Sequence, residues 1–275
     1  MKAYDVTTGT YEGAVAAHRV GPPPRPAGWA GPAGPAIDPA AWPRSPRTGQ
    51  PLVHDATIAL PPEYRRRSAD LVAIAVFDWP DESGFLPAPA EFAAALAGDL
   101  SHVAHLDDPF WGDVAAARPH PHSSVVCDPD TGSFYGAVWL TAAEFTGPRT
   151  ERPRQGLQLA PEEDLPPSDD RVRFGRFGDL WLVERDGDPN AGRAPGQADY
   201  VDIRLLDEDD DADFIDVDER FSHVHFGGTF MDPNGPGRRD VSAWYLEIHR
   251  LGGLWVGDDE NLVLDLATDP VFSFR

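Results

Sequence analysis

Apolar positions in this chain gather into short runs set between Pro- and Gly-rich connections, a pattern that predicts more strands than helices. Leu52 to Leu60 and Leu71 to Trp79 are rich in β-branched and aromatic residues between proline clusters, and predict neighbouring strands. Ser124 to Cys127 and Ser133 to Leu140 flank Asp128-Pro129-Asp130-Thr131-Gly132, where proline presets one turn angle and glycine tolerates positive φ, so a hairpin is expected. Further strand-like pieces lie at Leu180 to Val183, Tyr200 to Leu205, Val224 to Phe226, Ala243 to Ile248 and Leu262 to Leu266. Helical signals are fewer. Pro87 to Gly98 opens on proline, places Phe92 and Leu96 on one face and closes on glycine, while Thr141-Ala142-Ala143-Glu144 reads as a capping box. Residues 21–51 are so rich in proline and glycine that they predict an extended arm with no central strand. The sum is an α+β fold, strand-rich and mainly antiparallel.

Proline and charge dominate again from Gly147 to Ser168, which marks a possible seam within a single domain spanning residues 1–275. Gly34-Pro35-Ala36-Ile37-Asp38-Pro39 precedes the run at Leu52, and Gly228-Thr229-Phe230-Met231-Asp232-Pro233 precedes Trp244-Tyr245-Leu246. This loose repeat suggests a sheet built from two similar halves.

Composition narrows the classes of partner. Hydrophobic residues make up 41% and aromatics 10%, enough for a large core. Acids number 46 against 23 Lys plus Arg, a net charge of -23 that opposes nucleic acid and anionic membranes and favours a basic protein partner. No apolar run is long enough to span a bilayer, and the N-terminus lacks the apolar core of a secretory signal, so a cytoplasmic location is the expectation. Cys127 is the single cysteine, which excludes an internal disulfide. Lys2 is the single lysine amid many Arg, Ala, Pro and Gly, the codon bias of a high-GC bacterium.

The same glycine loops carry a resemblance. Gly34-Pro35 through Asp38-Pro39, Trp42-Pro43, Gly49-Gln50-Pro51-Leu52, Phe226-Gly227-Gly228, Trp244 to Ile248 and Leu254 to Asp258 resemble motifs of the YwqG-like bacterial proteins, over roughly residues 28–79 and 221–275. The resemblance implies an α+β fold of two similar halves and brings no activity, cofactor or catalytic residue. Where that family carries glutamine in its strand motifs, this chain has Thr57 and Glu247, which implies a different groove.

Two clusters could carry chemistry. His223 and His225 alternate on a strand and so share a face, as do Glu247 and His249. If those strands are antiparallel neighbours in register, the imidazoles and the carboxylate converge as a site suited to Zn or Fe, and the chain would be a metal-dependent enzyme or small-molecule binder. The plainer reading makes these histidines local hydrogen-bonding groups, with no cofactor. Nine carboxylates crowd into residues 207–219, among them Asp207, Asp209, Asp211 and Asp213; they miss the calcium-loop template and offer a surface for a basic partner. His120-Pro121-His122 reads as an exposed loop, and Cys127 as a packing residue without a hydrolase motif around it. The leading expectation is therefore a non-enzymatic acidic binding protein, of which an immunity protein neutralising a cationic toxin is one concrete form.

Overall fold

A computed structural model describes residues 1–9, 24–79, 90–103, 107–127, 133–156, 177–201, 222, 224–230, 241–255 and 261–268. Their main element is one ten-stranded antiparallel sheet, curled into a half-barrel. In chain order its strands are β1 (Tyr4–Thr8), β2 (Arg25–Ala30), β3 (Val53–Ala59), β4 (Leu71–Trp79), β5 (Ser123–Cys127), β6 (Phe134–Thr141), β7 (Gly178–Glu184), β8 (Val224–Phe226), β9 (Tyr245–Ile248) and β12 (Leu262–Asp265). Across the sheet the order is β12-β9-β8-β1-β7-β2-β3-β4-β6-β5. A separate hairpin joins β10 (Arg250–Leu251) to β11 (Leu254–Trp255).

The predicted pair Leu52–Leu60 and Leu71–Trp79 forms β3 and β4, hydrogen-bonded as neighbours. The predicted hairpin strands also pair, as β5 with β6, while their turn at 128–132 lies outside the described residues. So do most of the strand predicted at Tyr200–Leu205 and residues 157–168 of the seam. Among the described residues the α-helices are α1 (Ala90–Leu96), α2 (Pro109–Ala116) and α3 (Ala142–Thr146), with three single-turn 3-10 segments besides. Gly98 closes α1 with φ 98°, its N–H bonding Ala95 while Asp99 bonds Ala94. Asp108 caps α2, and Thr141 and Glu144 complete the predicted capping box of α3.

The α+β expectation is corrected: the molecule is mostly sheet, with three short helices among the described residues. Nor do two similar halves emerge. The N-terminal β1 and the mid-chain β7 sit side by side in the interior of one continuous ladder, so the two glycine-loop regions do not close as separate units. The arm also departs from expectation, because β2 lies inside it and in the middle of the sheet. Proline is tolerated there because pairing to β7 begins at Arg25 whereas pairing to β3 begins only at Gly28, and a bulge falls between Pro26 and Gly28. Gly28 itself adopts φ 131°, and a Cβ on it would lie 2.0 Å from the Thr57 carbonyl oxygen.

Alternation along the strands sorts the core onto two faces. One face gives a single apolar cluster running from Leu262 and Leu264 through Val6, Leu182, Ile58 and Ile74 to Trp139. The other is covered in pieces. Ile37 and Trp42 of the arm, with Leu52 just after it, pack on Phe77, Phe134 and Leu140, and Trp42 donates Nε1–H to the Leu52 carbonyl. Phe230 and Val241 pack on Tyr245 and Val263 at the opposite end. Among the described residues no helix is long and apolar enough to cross a membrane.

Candidate functional site

Between those two coverings the sheet carries an ionic row. Asp5 of β1 stands opposite His225 of β8, and His225 stands opposite Glu247 of β9, so three ionisable residues occupy one row on three adjacent strands. All three side chains are fully buried. The register therefore places His225 beside Glu247, as the sequence pattern required for convergence. His225 Nε2 lies 2.6 Å from Glu247 Oε2, at an angle outside hydrogen-bond geometry, and its Nδ1 lies 2.9 Å from the Gly227 carbonyl oxygen. That oxygen only accepts, so Nδ1 carries a hydrogen.

Glu247 is held from its other side. Asn261 donates Nδ2–H to Glu247 Oε1 at 2.6 Å and offers Oδ1 to His249 Nδ1 at 3.0 Å. The carboxylate fixes the amide orientation, and the amide oxygen in turn makes Nδ1 the hydrogen-bearing nitrogen of His249. His225, Glu247, Asn261 and His249 thus form one continuous polar chain, with His249 at its half-buried end. His223 lies outside the described residues, as do Asp207, Asp209, Asp211 and Asp213.

The opposite end of the row is anchored by Arg185, just past β7 and fully buried. Its Nε donates to Asp5 Oδ1 at 2.5 Å, and its terminal nitrogens donate to Asp188 Oδ2, the Thr229 carbonyl and the Ser222 carbonyl. Burial alone would lower its pKa, but Asp5 and Asp188 reverse this and hold the guanidinium above its ordinary value. Asp188 also accepts from Thr229 and from Asn190, so one arginine ties strand β1 to three loops. Burial, with Tyr200 and Glu247 adding to it, pushes the nearby Tyr245 hydroxyl far up, and that hydroxyl donates to the Gly228 carbonyl.

Chemically, the row is a closed structural network. Among the described residues no three His, Cys, Asp or Glu side chains converge to hold a metal ion. Zn–ligand bonds of about 2.0–2.1 Å put tetrahedral ligand atoms roughly 3.3 Å apart. His225 and Glu247 at 2.6 Å are closer than that, so an ion between them would have to part the pair.

Beside the row lies an open feature that sequence reasoning missed, a cavity of about 350 Å³ bordered by Thr7 and Thr8 of β1, Ser222, His249 and Arg250, with valine and leucine side chains completing its wall. Asp5, Arg185, Asp188, Thr229 and Asn261 were missed as well, because single polar residues inside strands and loops carry no spacing signal. His120, expected to be exposed, is buried with Nε2 3.0 Å from Glu144 Oε1, whereas His122 and Cys127 are exposed. Burial would raise the Glu144 carboxyl, but the bonds from His120 and Thr141 outweigh it and hold its pKa below the ordinary value.

No protein-family model, curated protein or solved structure matches this chain.

Proposed function

We propose that this chain is a non-enzymatic binding protein whose acidic surface receives a basic protein partner. The observation that carries the reading is the net charge of -23. Its arginines add weight, because many are directed at carbonyls and rings. Arg65 donates to the Leu60 carbonyl, Arg152 to Pro51 and Arg67 to Thr268, while Arg66 stacks on Trp244 and Arg149 on Trp29. They tie loops down, and the surplus of carboxylates remains for a cationic surface to meet. In its concrete form the partner is a cationic toxin neutralised in the bacterial cytoplasm. Membership of the YwqG-like family belongs to the same proposal and rests on the glycine-loop and Trp-Pro motifs. The test is affinity capture from the native host at low salt, purification of the captured protein, and its dissociation constant across a salt series. A basic partner whose affinity falls as salt rises supports the reading; no partner, or one indifferent to salt, refutes it.

The register of His225 opposite Glu247 favours a second reading, a metal-dependent enzyme or small-molecule binder using His223, His225, Glu247 and His249 with Zn or Fe. Elemental analysis of untagged protein, against a folded His223→Ala/His225→Ala variant, tests it. Stoichiometric metal in the parent that disappears in the variant would place this reading first. Metal-free parent protein that also gives no calorimetric response to Zn²⁺ or Fe²⁺ would remove it.

A further inference from the structure

We infer that the β5 edge of the sheet is a self-association surface, on which a second copy of this chain pairs its own β5 antiparallel about Val125. The sheet does not close, so it ends in two edge strands, β12 and β5. They differ. All four residues of β12 are buried, whereas Ser123 to Val126 of β5 are half-buried and Cys127 is exposed. An open edge is a template for another strand, and proteins that avoid such pairing place charge, proline or a bulge there. Ser123-Ser124-Val125-Val126-Cys127 has no charge and no proline, and its register with β6 runs unbroken over all five residues.

The ladder fixes which groups face outward. Trp139 donates its N–H to the His122 carbonyl at 3.0 Å, and antiparallel alternation from that bond turns Ser124 and Val126 toward β6 and Val125 away from it. Ser123 N–H is committed to the His120 carbonyl at 3.1 Å, so the Val125 N–H and C=O form the centre of the outward edge. A two-fold axis through Val125 lets the two copies exchange both bonds there, as an isologous interface requires.

Charge selects the occupant. In this register Val125 meets Val125, Ser124 meets Val126 and Ser123 meets Cys127, so two chains of net charge -23 join along a line on which no like charges face each other. The same strand offers no carboxylate to a cationic segment, which separates this surface from the one a basic partner would use. Pairing also covers apolar side chains, because Val126 packs only partly on one core cluster and Val125 only partly on the other. A five-residue edge buries far less than the roughly 800 Å² per partner of a stable complex, so the dimer is weak and depends on concentration. Salt strengthens it, since screening reduces the repulsion between the two negative chains.

Sedimentation velocity of the full-length protein from about 0.01 mM to about 1 mM, in about 0.05 M and about 0.3 M sodium chloride, reads the association. The sedimentation coefficient should rise with protein concentration, more steeply at the higher salt. Val125→Pro removes an amide that faces away from β6 and so leaves β5 paired, and it should weaken the dimer at least about tenfold because both central bonds are lost. Val125→Glu and Val125→Lys each set like charges opposite one another and should associate less than the parent, whereas an equimolar mixture of the two should recover the dimer. Urea midpoints establish that each variant is folded, and Val125→Pro alone decides where a charged variant is not. A parent that stays monomeric at both salts, association unchanged in folded Val125→Pro, or a mixture of folded charge variants no more associated than either alone would overturn the inference. The basic-partner reading stands apart from this result, because that complex weakens with salt and this dimer strengthens.

Discussion

Acidification should unlock the fold at His54. This residue is buried in β3, with Nδ1 2.5 Å from the Gly31 carbonyl oxygen and Nε2 2.8 Å from Thr57 Oγ1. The carbonyl only accepts, so Nδ1 bears the hydrogen and Nε2 accepts from the threonine hydroxyl, and the neutral ring is satisfied at both nitrogens. Burial pushes its pKa from 6.5 down to about 4; the bond to Gly31 opposes this and the charge of Arg149 adds to it. The unfolded chain therefore takes up a proton near pH 6.5 and the folded chain only near 4. Stability from this residue is fully present above pH 6.5 and is lost as pH falls through the interval to about 4. At about 1.4 kcal/mol per pH unit the loss amounts to about 3 kcal/mol, a large share of the 5–15 kcal/mol typical of a folded domain. The assay is urea unfolding of the parent and of His54→Gln from about pH 7.5 to about pH 4.5, where other titrations are common to both chains. The stability difference between them should shrink by about 2–3 kcal/mol on acidification. A difference flat with pH, or ring resonances of His54 titrating near the ordinary histidine value, would refute the reasoning.

Two further substitutions probe the frame that carries the row. Arg185→Met strands the buried Asp5 and Asp188 carboxylates and should cost about 3–5 kcal/mol in urea unfolding, part of it recovered by adding Asp5→Asn; a loss below about 1 kcal/mol would mean the guanidinium is not their counter-charge. Gly28→Ala drives a Cβ into the Thr57 carbonyl at a positive φ, so the variant should be recovered unfolded or aggregated, and a parent-like melting temperature would show that β2 does not hold the described backbone.

Strand placement was legible wherever β-branched runs met proline punctuation, as in β3, β4 and β6, because both faces there are buried and the runs are continuous. It was illegible in β1 and β2. Tyr4-Asp5-Val6 contains a charged residue at an inward position, and Arg25-Pro26-Ala27-Gly28 looks like loop until the one-sided pairing of Pro26 is known. Fold class was misjudged because the sequence offered helix signals for α1 and α3 with correct capping but no measure of how little of the sheet such short helices cover. The site was legible as a face relation and no further. His225 and Glu247 could be put on matching faces from alternation alone, whereas their register depends on hydrogen bonding between strands. Asn261 joins the chain from just before β12, which no local pattern links to β9.

Salt separates the consequences of charge for this fold from those for the basic partner proposed above. With a net charge of -23 the folded chain repels itself, and its arginines do not relieve this locally where they are bound to carbonyls and rings. Added monovalent salt screens that repulsion, so the chain alone should become more resistant to urea as ionic strength rises from about 0.05 M to about 0.3 M. The same screening weakens attraction to a cationic partner, so the dissociation constant of the complex should rise over that interval. A bound partner also stabilises by mass action, by about 2.7 kcal/mol at a concentration one hundred times the dissociation constant. In low salt the partner should therefore supply stability that the isolated chain lacks, and in high salt that gain should fade while the isolated chain improves. Opposite trends in these two quantities identify charge as the link between them. Parallel trends would mean that the partner is held by apolar contact, and the acidic surface would then need another explanation.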